Sequence, residues 1–121
     1  MKGIGFILTS IGLNVLGQLA FKAGMIKLGE IVFQPSRVFQ ILVQILSKPI
    51  VLVGVVLYAI SAFFWIIALS KAELSFAYPM LSVGYVLIYF LSIWLFSETF
   101  SIPRLVGTII VCGGLVLVAR S

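Results

Sequence analysis

Residues 10–22 read SIGLNVLGQLAFK and lie inside the first run of this chain that is long and apolar enough to cross a bilayer. That run, residues 4–23, carries Ser10, Asn14, Gln18 and Lys22 at steps of four and contains no acidic side chain. A transmembrane helix needs roughly 20 mostly apolar residues, and this run supplies them. Its polar members then require an explanation, because an amide without a partner in hydrocarbon is costly. Steps of four place side chains along one side of a helix, so the spacing predicts a polar stripe turned away from lipid. Lys2 ahead of an apolar run also suits a secretory signal. The run outlasts the roughly 7–15 residues of a signal's apolar core, however, and no small-x-small cleavage site follows it, so it reads as a retained span.

Composition fixes the class. The chain has 121 residues, of which 63% are hydrophobic and 9% charged, and its mean hydropathy is +1.32. A soluble domain of this length cannot bury so much apolar surface. The expectation is an all-α membrane protein, one transmembrane domain over residues 1–121, with spans at 4–23, 50–70, 74–96 and 102–119. KAE at 71–73 joins the second and third spans. SETFSIPR at 97–104 joins the third and fourth, with Ser101 a cap and Pro103 in the first turn.

The first connection is longer, and within it PSRVFQILVQILSKP sets Arg37, Gln40, Gln44 and Ser47 against Val38, Ile41, Leu42, Ile45 and Leu46. This is helical amphipathicity over too few residues to span. Residues 35–47 therefore read as a helix in the headgroup plane, the alternative being a tilted extension of the second span, against which Lys48-Pro49 argues. With four alternating spans, Lys2, Lys71 and Arg120 share one side, and Lys22, Lys27, Arg37, Lys48 and Arg104 the other. The positive-inside rule then puts both termini outside, on a slender majority.

Several chemistries are excluded or unsupported. The net charge of +5 is made of scattered single residues with no basic stripe, which suits lipid headgroups and membrane topology and not nucleic acid. There is no histidine, and Cys112 is the single cysteine, so neither a metal site nor a disulfide framework is expected. No catalytic residue, metal or cofactor is assigned.

The third span answers the first with Tyr78, Ser82, Tyr85 and Tyr89 at steps of four, three and four, and the second adds Tyr58, Ser61 and Trp65. Small hydroxyl residues often serve as packing glue between membrane helices, and that reading suits Ser10, Ser61 and Ser82. For Asn14, Gln18 and the tyrosines together, a polar cavity is the better account. Gly107 and Gly114, seven apart in LVGTIIVCGGL, offer either a dimer interface or a packing surface for the protomer's own helices. Four helices cannot supply both a chamber and its wall, so transport would need at least two copies.

The stretch AYPMLSVGYVLIYFLSIWLFSETFSIPRLVGTIIVCGGLVLVA, residues 77–119, together with GLNVLGQLAFKAG, residues 12–24, resembles the four-helix branch of the drug/metabolite transporter superfamily. That branch holds the small multidrug resistance exporters and, more similar in YPMLS and SIPR, the flippase subunits that move aminoarabinose-phosphoundecaprenol across the bacterial inner membrane. Where the exporters carry a proton-exchanging glutamate, this chain has Asn14. An amide does not take up and release a proton near neutral pH as a carboxylate does, so proton-driven cation export through this position is excluded. Tyr78 stands where the exporters have a gating tyrosine, whereas Leu81 replaces a pocket aromatic.

The resemblance therefore implies a flippase for a polyprenyl-phosphate-linked sugar or similar anionic lipid. It would act in the bacterial inner membrane as a homodimer or with a related four-helix subunit. An anionic headgroup calls for cations and neutral donors, which Lys22, Arg104, Asn14, Gln18, Trp65, Tyr78, Ser82 and Tyr85 would supply. Any one terminal Lys or Arg also suits simple snorkelling to lipid headgroups, and Arg104 with Glu98, like Lys71 with Glu73, also suits a simple ion pair near one interface. An exporter of a small polar metabolite, or a non-transporting accessory subunit, are the alternatives.

Overall fold

The computed structural model describes residues 3–120, and Lys2, counted in the charge balance above, lies outside the described residues. Among them every regular element is helical: α1 (Ile4–Leu28), a 3-10 turn (Pro35–Arg37), α2 (Val38–Leu46), α3 (Pro49–Leu69), α4 (Leu74–Met80), α5 (Ser82–Phe96) and α6 (Ile102–Arg120). Four helical segments are long and apolar enough to cross a membrane: α1, α3, α4 with α5, and α6.

α1 continues five residues past the expected end at 23. Gly24 does not terminate it, because that glycine is buried against the Val51 side chain and the helix is held there. The stop is Gly29, whose φ of 78° is one that glycine adopts readily, with its N–H on the Met25 carbonyl at 2.9 Å. Lys48 is extended, at φ −85° and ψ 121°, and Pro49 opens α3. Proline disfavours the helical region for the residue before it, so α2 is a separate helix and not an extension of the second span. Its nine residues reach roughly 14 Å at 1.5 Å each, under half of the ~30 Å of hydrocarbon.

The third span, expected as one helix, is broken at Leu81. Pro79 has no N–H to donate and its ring crowds the preceding turn. The chain tightens there through i to i−3 bonds, with Leu81 N–H on the Tyr78 carbonyl at 3.0 Å and Gly84 N–H on the Leu81 carbonyl at 2.9 Å.

What joins α1 to α3 is a seam of small residues seven apart: Gly3, Ser10, Gly17 and Gly24 on one side, Gly54, Ser61 and Ala68 on the other. The helices run antiparallel. A Cβ on Gly3 would stand 3.3 Å from the Ala68 carbonyl oxygen, and one on Gly17 3.1 Å from that of Gly54. Between these contacts Ser10 Oγ donates to the Ser61 carbonyl at 2.7 Å. A seven-residue repeat drifts only about 20° per step on a straight helix, so small residues at that spacing stay on one line and let backbones approach.

α5 leans on the same helix through Gly84, where an added Cβ would meet Ile11 at 3.2 Å and Val15 at 3.4 Å. Ile7, Ile11, Val15, Ala68, Ala77 and Met80 form the buried core. α6 is the least held: of its residues only Thr108 is buried, with its hydroxyl on the Arg104 carbonyl of its own helix at 2.8 Å.

The alternating order gathers Lys22, Lys27, Arg37, Lys48 and Arg104 toward the end that carries residues 29–48 and 97–101. Lys71 and Arg120 lie at the other, where the Lys71 ammonium stands 5.7 Å from the Phe6 ring centre.

Candidate functional site

Asn14 is half-buried on α1, and beside it α1, α3 and the end of α4 enclose a half-open recess of about 260 Å³. α1 contributes Ser10 and Asn14. From α3 come Tyr58, Ser61, Ala62 and Trp65, and from the break in the third span come Tyr78 and Leu81. The two hydroxyls are already engaged: Ser10 donates across the seam, and Ser61 Oγ donates to the Tyr58 carbonyl at 2.6 Å. Asn14, the Trp65 indole and the phenols of Tyr58 and Tyr78 are left to meet a guest. Tyr78 is 65% exposed, so its ring forms the rim of the recess and not its floor.

No carboxylate lines this space. Neutral donors set between aromatic faces suit the hydroxyls of a sugar and the oxygens of a phosphate. They offer a lone cation only ring faces.

A second recess, of about 290 Å³, opens one helix further along, between α5, the 97–101 loop and the start of α6. Tyr85, Ser92, Glu98, Thr99 and Arg104 are its polar members. Tyr89 backs it, buried, with its hydroxyl donating to the Ser101 carbonyl at a long 3.4 Å. Because the third span runs from one membrane face to the other, Tyr78 and Tyr85 place the two recesses at different depths, with half-buried Ser82 between them in sequence.

The expected site residues thus divide. Asn14, Trp65 and Tyr78 meet in the first recess, and Tyr85 and Arg104 in the second; Ser82 lines neither. Gln18 and Lys22 are exposed on the protomer and also line neither recess. At about 100° per residue, a step of four overshoots a full turn by about 40°, so Lys22 stands about 120° around the helix from Ser10. Ser10 belongs to the seam, which steps by seven.

Ser92 and Thr99 were not singled out by spacing, since a chain turn and not a helix face brings them together, and Glu98 was expected only as an ion partner of Arg104 at the same interface; the two line one recess. At Gly107, Gly113 and Gly114 an added Cβ would meet nothing within 4 Å, so these glycines are not packed against the protomer's own helices.

No family model and no solved structure matches the chain. Curated relatives do. A protein of Erwinia tasmaniensis named "Probable 4-amino-4-deoxy-L-arabinose-phosphoundecaprenol flippase subunit ArnF" is 33% identical over 118 residues, covering 96% of this chain and 93% of the relative. Proteins of the same name from Aeromonas hydrophila and Aeromonas salmonicida are 35% and 37% identical, each over 98% of this chain and 80% and 79% of their own lengths.

Proposed function

The chain belongs to the family of 4-amino-4-deoxy-L-arabinose-phosphoundecaprenol flippase subunits, and from that premise we propose that it carries an undecaprenyl-phosphate-linked aminosugar across the bacterial inner membrane as one subunit of a dimer. The observation that carries this reading is the carboxylate-free recess beside Asn14. The headgroup enters it, with its hydroxyls on Asn14 and Tyr78 and its ring against Trp65, while the prenyl tail stays in lipid. A recess open on one side needs a second subunit to close it. Gln18 and Lys22, one and two turns beyond Asn14, join the path once such a subunit covers α1. α2 lies in the headgroup plane with its apolar side in the acyl boundary, and both termini lie outside the cytoplasm.

The test is flux in reconstituted vesicles, with this chain alone and together with a related four-helix subunit. Labelled aminosugar lipid crosses in one or both preparations. Asn14→Leu lowers that flux by about tenfold, the value of a hydrogen bond to a charged or strongly polar guest. Transport of soluble metabolite with no lipid flux would favour the exporter alternative, and no flux of either kind would leave an accessory role.

A further inference from the structure

We propose that the second recess is a docking station for a headgroup that carries a phosphate and a primary ammonium together, with Arg104 taking the phosphate and Glu98 the ammonium. The proposal rests on the lipid-carrier reading and names the part of the headgroup that decides selectivity. Glu98 is one of three acidic residues in the chain, beside Glu30 and Glu73. The other two are exposed, whereas Glu98 is half-buried and lines a recess with an arginine. A carboxylate and a guanidinium on one concave surface neutralise each other when it is empty. They match a zwitterion better than any ion of single charge.

The backbone supplies an independent observation. Among the described residues Ser97 is the only non-glycine at positive φ, at φ 52° and ψ 38°. A left-handed residue that is not glycine costs about 1–2 kcal/mol. A left-handed residue at this position is a common way for a helix to end. Here it ends α5 in a turn that sets the Glu98 amide nitrogen 3.5 Å from the Ser92 carbonyl oxygen and leaves Glu98 half-buried at the edge of the recess. Tyr85, Ser92 and Thr99 add neutral hydroxyls between the two charges. The amine that the relatives' names place on the sugar is the group that a carboxylate recognises and that the first recess, lacking acids, meets only with ring faces.

Phosphate and primary ammonium also occur together in phosphatidylethanolamine, so the probes must separate the two sources. Purified protein in phosphatidylglycerol nanodiscs is titrated with the aminosugar polyprenyl phosphate, its N-formyl form and phosphatidylethanolamine. Wild type is expected to favour the free amine over the N-formyl lipid by about tenfold. Glu98→Gln removes that preference while N-formyl binding stays unchanged, and Arg104→Gln weakens both sugar lipids alike. Ser97→Gly keeps the turn and keeps the preference, which separates loss of the carboxylate from loss of the fold. Competition by phosphatidylethanolamine as strong as by the aminosugar lipid would assign the station to bulk lipid and overturn its role in selecting the sugar.

A preference that survives Glu98→Gln overturns the proposal even where flux is normal. If flux is absent but the Glu98-dependent preference is present, the carrier reading fails and the station stands.

Discussion

At Gly54 the α1/α3 seam leaves no room for a side chain: a Cβ there would stand 2.8 Å from Phe21 Cδ1 and 3.0 Å from the Gly17 carbonyl oxygen. The ring can swing aside, but the carbonyl is part of a helix and cannot. Gly54→Val is therefore expected to destabilise the protein by about 1–3 kcal/mol through overpacking, lowering the midpoint of thermal unfolding in detergent. Ser10→Ala removes a hydrogen bond that crosses the same seam. Such bonds in membranes average about 0.6 kcal/mol, and the Ser61 carbonyl lies inside a helix that already supplies it a donor. The added methyl groups should thus do more harm than the lost hydroxyl, and a larger loss for Ser10→Ala would show that the serine bond, not close approach, holds the pair. Residue spacing alone left this ambiguous. Ser10 sits in a four-step polar series and also in a seven-step series of small residues. Only the facing helix, with Gly54 and Ser61 at the same interval, decides which of the two is used.

The elements were more legible than their ends. Length and hydropathy marked all four spans, because roughly 20 apolar residues in a row admit few other fates. Lys48-Pro49 marked the start of α3, because the steric restriction before proline is local. The end of the first span, expected at 23, was not legible, since glycine serves as a stop in one setting and as a contact surface in another, and a distant Val51 determines which at Gly24. Pro79 is passed over when the third span is read as one helix; the break falls two residues later, at Leu81, where Tyr78 and Leu81 line the first recess. Pro79→Ala restores an N–H to the helix interior, where proline costs about 3 kcal/mol in water and less in a membrane, where neighbours satisfy the freed groups. The variant is expected to gain helicity by circular dichroism and lose lipid flux severalfold, since a continuous helix would rotate Tyr78 relative to Tyr85. Flux kept at the wild-type level would mean that the break has no part in shaping the path.

Among the described residues the buried share falls from span to span, from α1 through α3 and the third span to α6, which has a single buried residue. The fourth span keeps Gly107, Gly113 and Gly114 in open space. Leucine at Gly107 and Gly114 together should not destabilise the protomer itself, because nothing within it is displaced and leucine is the better helix former. It should weaken subunit association by tenfold or more, read by energy transfer between labelled subunits. Unchanged association would move the dimer contact to another face. The bonding is also unequal in kind, and this bears on length. Contacts along the seam join positions that advance by seven on α1 and retreat by seven on α3. Inserting or deleting one residue inside either helix would turn everything beyond it by about 100° and misalign every pair past the change. Residues 29–34 lie between the helices and carry no such register. Relatives that differ in size should therefore place their extra or missing residues in that loop and keep the stretches 3–24 and 51–68 at constant count.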